Sequence, residues 1–181
     1  GHSTVWATQR TLDIMAIRNG ENFANSTQVA ALGEVMNLGG VKVSFHPAGH
    51  VLGSAQIAVE LDGMKIVASG DYKRRSYPTC ADFEVVECDV FITEATFGLP
   101  VFRHPDDRDE IGKLMKSMHQ FPERAHLVGA YALGKAQRVI ALIREAGYDQ
   151  PIYIHGAMQK LCDYYQSQGV DLGPLEPATT D

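Results

Sequence analysis

The chain has little that would place it in a membrane or an oxidising compartment. Among its 181 residues no apolar run approaches the roughly 20 needed to cross a bilayer. No segment near the N-terminus has the charged-then-apolar form of a signal peptide. Cysteine is scarce: Cys80, Cys88 and Cys162 are odd in number and form no C-x-x-C pair. Such thiols make no disulfide framework and fit reduced, mostly structural residues of a cytoplasmic protein. Net positive charge is also lacking. The formal charge is −6 and the pI near 5.6, whereas a nucleic-acid binder usually carries a basic surface. Total charge therefore argues mildly against that partner, although Lys73-Arg74-Arg75 supplies a local basic cluster. There is no internal repeat and no low-complexity tract.

What is present is ordinary globular composition, 45% hydrophobic and 21% charged, enough for one compact core or two small ones. Thr8 is placed to cap a helix over 9–18, with Asn19-Gly20 ending it. Residues 20–28 read as a polar loop, 34–38 as a short strand and 41–45 as a strand rich in β-formers. A hairpin follows: strands over 55–61 and 64–69 flank Asp62-Gly63, a strong turn signal between alternating apolar runs. Residues 76–81 read as a loop holding Pro78. Asp89 to Thr93 reads as a buried strand. Beyond Leu99 the pattern changes to a helix from Pro105 to about His119, a strand over 125–129, a helix over 133–146, a strand over 151–154 and a helix over 157–168. The tail from Pro174 to Asp181 reads as unstructured. Alternating strands and helices imply a parallel sheet. The fold class is therefore α/β in two regions, 1–98 and 99–181.

The residues with chemistry sit at strand ends. His50 follows the strand over 41–45, and Asp71 follows the second hairpin strand. Imidazole and carboxylate together suit zinc or another first-row metal, or they are a structural histidine and a turn aspartate. Glu94 stands at the C-terminal end of the 89–93 strand, where open α/β sheets place their chemistry; an acid there also serves as a helix cap. Pro47 separates His46 from His50, so the two are not a helical metal pair, and His46 reads as structural or supporting. Lys73, Arg74 and Arg75 can hold a phosphate beside a metal or form a solvated loop. Lys135 and Arg138 lie on one side of a helix whose N-terminus suits phosphate, or form a solvated face. His155 reads as structural.

His50-Val51-Leu52-Gly53-Ser54, Ser69-Gly70-Asp71 and Thr93-Glu94-Ala95-Thr96-Phe97-Gly98 occur in this order and spacing. They resemble the third and fourth metal motifs of the metallo-β-lactamase nucleases and the acidic motif that opens their β-CASP branch. Ala132-Leu133-Gly134-Lys135-Ala136-Gln137 is similar to a further β-CASP segment. From about Val5 to Leu175 the chain most resembles the ligase-associated DNA exonucleases, also labelled mRNA-end processing factors.

The resemblance implies part of a metallo-β-lactamase αββα domain over 1–98 and part of a β-CASP domain over 99–181. It implies His50 as a metal ligand, Asp71 as a carboxylate bridging two divalent ions, zinc by preference or manganese, and Glu94 as the residue orienting a histidine and the hydrolytic water. The expected activity is a metal-dependent phosphodiesterase working on DNA ends, with a functional link to DNA ligase. The alternatives are RNA processing by the same centre and a non-catalytic module binding nucleic acid or protein. The family's H-x-H-x-D-H string is absent, and only His2 precedes the segment that follows it; the last β-CASP histidine motifs are absent too. The sequence thus reads as the middle of a longer protein, with metal binding by the piece alone weak or absent.

Overall fold

A computed structural model of the chain describes residues 3–178. His2 and the last residues of the tail lie outside them. The fold is mixed α/β and divides after Thr96 into two compact units, Gly1–Thr96 and Phe97–Asp181.

In the first unit β1 (Thr4–Ala7) runs parallel to β2 (Ser26–Val29), with Thr4 opposite Ser26 and Ala7 opposite Val29. The crossover between them is α1 (Gln9–Asn19), and Thr8 Oγ1 caps it by accepting from Thr11 N. β2 falls in the stretch expected to be loop. Every residue of it is exposed, so it lacks the apolar alternation by which a strand is recognised; pairing with β1, across the helix, defines it instead.

A five-stranded sheet follows, in the order β3 (Val35–Leu38), β4 (Val41–Pro47), β5 (Ala55–Leu61), β6 (Met64–Ala68) and β7 (Val90–Ile92). The first four are antiparallel neighbours, and β7 is parallel to β6. The β5–β6 hairpin closes at Leu61 opposite Met64 through Asp62 (φ 51°) and Gly63 (φ 81°). Both central residues are left-handed, as a type I′ turn requires. Ala58 and Val67 face each other in the core. β7 was expected to be buried, yet Val90, Phe91 and Ile92 are 43%, 44% and 58% exposed. As the edge strand it pairs on one side only, and an apolar run alone does not separate an edge from a covered strand.

The second unit contains α2 (Asp107–Gln120), α3 (Lys135–Glu145), β8 (Ile152–Ile154), α4 (Gly156–Ser167) and β9 (Leu175–Pro177). α2 starts two residues after the expected Pro105, because Asp106 is the cap that accepts from Arg108 N at 2.9 Å. α3 likewise starts at Lys135, after a left-handed Gly134. The expected strand over 125–129 does not form. Leu127 is 95% exposed and no described strand pairs there; without a neighbour an extended segment has no ladder to join. The tail expected to be unstructured supplies β9, parallel to β8. Arg144 fastens this end, with Nε on Leu172 O (2.9 Å), Nη1 on Tyr148 O and Gln150 O, and Nη2 on Pro174 O (2.7 Å each). The core is Ile140, Ile143, Ile154, Leu161, Tyr165 and Leu172, all nearly or fully buried.

Candidate metal and nucleic-acid site

β4 ends at Pro47, and the loop that presents His50 is held by its own backbone. Ala48 N donates to Ser54 O (3.1 Å) and Lys73 N to Ala48 O (2.9 Å). Ser54 Oγ accepts from both His50 N and Val51 N, each at 3.1 Å. A side chain on Gly49 would overlap the Lys73 carbonyl. Gly53 lies against the start of α1: its carbonyl accepts from Thr8 Oγ1 (2.7 Å) and Thr11 Oγ1 (2.9 Å). The glycines and serine of the sequence motif are therefore close-approach and turn residues around a single presented imidazole.

The second carboxylate-bearing loop starts where β6 ends. Ser69 N donates to Ile92 O at 2.9 Å, carrying the parallel β6–β7 pairing one step past the strands. Asp71 and Glu94 each lie two residues beyond that bond and leave the sheet at the same edge. His50 Nε2 is 3.7 Å from Asp71 Oδ2, with the two side chains 37% and 77% exposed. That separation is too long for a hydrogen bond and close to the ~3.4 Å expected between two ligands at tetrahedral angles on zinc, given metal–ligand bonds of about 2.1 Å. Glu94 Oε2 accepts from Thr96 N at 2.7 Å. The Thr96 amide, then its side chain, hold the Glu94 carboxyl below the ordinary 4.5, desolvation opposes them, and the nearby His50 adds to the lowering. The structure thus brings His50 and Asp71 together, with Glu94 two residues past the end of the neighbouring strand β7.

Two donors are half of a four-ligand shell, and among the described residues no cluster of three His, Cys, Asp or Glu side chains is arranged for a metal. His50 and Asp71 fit a divalent ion in donor chemistry and separation without closing a shell around it. Lys73 lies over the Tyr77 ring at 4.8 Å, while Arg74 and Arg75 are exposed. Lys135 belongs to the second unit, at the start of α3, over the Tyr131 ring at 5.1 Å. The polar centre of that turn is the buried Gln137, whose Oε1 accepts from Gly134 N (2.7 Å) and whose Nε2 donates to Ala132 O (2.9 Å). His155 is the N-cap of α4 through its Nδ1.

Reading by residue type took Thr8 as a helix cap alone and passed over Thr11 and Gln56, the latter donating through Nε2 to Pro47 O (3.0 Å) and Glu84 O (2.7 Å). One signal was present. Gln56 shares a face of β5 with the small Ala58, and a polar side chain at an inward position needs partners.

No family model matches the chain, but curated relatives do. It is 34% identical over 133 residues to the cleavage and polyadenylation specificity factor subunit 3 of Dictyostelium discoideum, covering 68% of this chain and 17% of that protein. It is 32% identical over 136 residues to an RNase J-like protein of Methanocaldococcus jannaschii, covering 70% and 32%. It is 33% identical over 133 residues to the endoribonuclease ysh-1 of Neurospora crassa, covering 67% and 15%. The chain belongs to the β-CASP branch of the metallo-β-lactamase fold. It spans from about a seventh to a third of the length of these β-CASP relatives. None of the three is named for DNA repair or ligation, so the narrower ligase-associated subfamily gives way to the wider family. β-CASP proteins use divalent metal ions, the class that His50 and Asp71 suit. No described helix is long and apolar enough to cross a membrane.

Proposed function

We propose that this chain is part of a metal-dependent phosphodiesterase that cuts RNA. In this reading residues 1–98 belong to the metallo-β-lactamase domain and 99–181 to the β-CASP domain. His50 and Asp71 are two of the ligands of a divalent centre, zinc by preference, and Glu94 orients the attacking water. The observation that carries the reading is the 3.7 Å approach of His50 Nε2 to Asp71 Oδ2. His50 and Asp71 would hold a divalent ion, which when bound would lower the pKa of a water toward ~7; Asp71 is more than half exposed and free to turn a carboxylate oxygen to it. Glu94, already fixed by the Thr96 amide, stays ionised at neutral pH and can accept a proton-bearing group in a set direction. Arg74 and Arg75, in the loop that begins at Asp71, supply cations for the substrate phosphate.

RNA is preferred to DNA because the relatives are named as an endoribonuclease, an RNase J-like protein and a polyadenylation cleavage factor. The test is cleavage of matched, end-labelled RNA and DNA oligonucleotides by the full-length protein, with zinc content measured on the same sample. Faster cleavage of RNA is expected. Preference for DNA would restore the DNA-exonuclease reading. Zinc-replete protein that cuts neither would favour a binding module.

A further inference from the structure

His46 is four residues from His50 and has both ring nitrogens engaged. Nδ1 is 2.8 Å from Glu84 Oε1, and Nε2 is 3.0 Å from Ser44 Oγ. The side chain is only 17% exposed. A carboxylate only accepts, so Nδ1 carries a hydrogen and donates to Glu84, while Nε2 is paired with the Ser44 hydroxyl. The ring is fixed in one orientation.

The backbone next to it is fixed too. Pro47 O accepts from Gln56 Nε2 (3.0 Å) and Glu84 N (3.1 Å), and Gln56 Nε2 also donates to Glu84 O (2.7 Å). Gln56 is 1% exposed, as is Ala48. Ala48 is bonded at both its N–H and its carbonyl, and Gly49 is packed on Lys73 O. From His46 to Gly49 no residue has slack, and the next residue is His50.

We propose that His46 and Glu84 are positioning residues: the pair sets where the loop presents the His50 imidazole to Asp71, and so how tightly these two hold a divalent ion. The proposal rests on the metal reading above. It does not follow from loop stability alone, because Glu84 also contacts the loop through its backbone. Glu84→Ala keeps those backbone bonds and removes only the partner of His46. Glu84→Gln keeps an acceptor for Nδ1–H.

Two measurements test it. The first is amide hydrogen exchange at His50 and Val51, whose N–H groups bond to Ser54, with Ile140 in α3 as the internal control. The second is zinc affinity of the full-length protein by chelator competition, with melting temperature recorded for each variant. His46→Ala and Glu84→Ala are expected to speed exchange at His50 and Val51, leave Ile140 unchanged, and weaken zinc binding about tenfold at a nearly unchanged melting temperature. Glu84→Gln should keep zinc affinity within about twofold, since its acceptor holds the ring. If His46→Ala does not fold, Glu84→Ala carries the test. Faster exchange with unchanged zinc affinity overturns the positioning role and leaves a structural one. Wild-type protein that binds zinc and cuts RNA beside variants of equal affinity overturns this proposal alone; wild-type protein that binds no zinc overturns the metal reading with it.

Discussion

Gly53→Ala separates backbone conformation from crowding at the presented loop. Gly53 has φ +81°, and a Cβ built there lies 2.6 Å from Arg10 Cβ, 2.9 Å from Thr11 N and 3.0 Å from Thr8 Oγ1. Gly39 is also left-handed, at φ +61°, but a Cβ there meets nothing within 4 Å. Both substitutions carry the left-handed cost of an L side chain, about 1–2 kcal/mol. Only at Gly53 must the loop also move away from α1, which breaks the bonds from Thr8 and Thr11 to Gly53 O. Two part-buried hydrogen bonds add about 1–3 kcal/mol. Gly53→Ala should therefore cost about 2–5 kcal/mol and Gly39→Ala about 1–2. Urea unfolding followed by the fluorescence of Trp6, the chain's one tryptophan and a residue of β1, reports on the first unit. With slopes of about 1–3 kcal/mol per molar, the two midpoints should differ by roughly 1 M. Thr11→Val should cost about 0.5–1.5 kcal/mol in the wild type and less in the Gly53→Ala background, where its bond to Gly53 O is already broken. Equal midpoints for the two glycine variants would refute the clasp between α1 and the loop.

In the full-length protein, Asp71→Ala should abolish phosphodiester cleavage with little loss of fold, and Glu94→Gln should lower turnover roughly 10²–10⁴-fold while sparing metal content; full activity of metal-replete Asp71→Ala rules out the assigned role. Lys42 donates to Glu60 at 2.8 Å and, with its charge and that of Lys65, holds the Glu60 carboxyl below 4.5. The pair's contribution is present above the ordinary value and fades as pH falls through the lowered one, so Lys42→Ala should raise the Glu60 midpoint in a carboxyl NMR titration. Burial pushes the Cys162 thiol up, against a bond from Gln137, and the residue is fully buried; iodoacetamide should label Cys80 and Cys88 at least about tenfold faster until denaturant is added. Arg144→Ala removes four charged bonds to carbonyls and should cost about 3 kcal/mol or more, seen as faster hydrogen exchange at Ile152, which donates to Pro174 O.

The parts legible in the sequence are those set by nearby residues. Asp62-Gly63 marks its hairpin, and Thr8 and Gly20 bound α1, because turn and cap chemistry act over a few residues. β2 and β9 were not legible, since each is three or four residues long and exists by pairing across a helix. The false strand over 125–129 is the converse: β-forming residues with no neighbour. Of the site, His50, Asp71 and Glu94 came from their motifs, while the approach of His50 to Asp71 depends on loops that follow different strands. Glu84 was invisible as a partner of His46 because 38 residues separate them. The choice between RNA and DNA had no residue to rest on, as none of the quoted groups is placed to read a 2′-hydroxyl.

The bond from Ser69 N to Ile92 O also says where related sequences are free to differ in length. Asp71 and Glu94 are each counted from it, two residues out, so an inserted residue between Ser69 and Asp71, or between Ile92 and Glu94, shifts one acid by about 3.3 Å and turns it to the other side of the chain. Between Arg75 and the buried Tyr77, or between Cys80 and Phe83, an extra residue leaves both counts untouched. Alignment gaps among relatives should collect in that connecting stretch and avoid the two short spacers, whatever the overall identity.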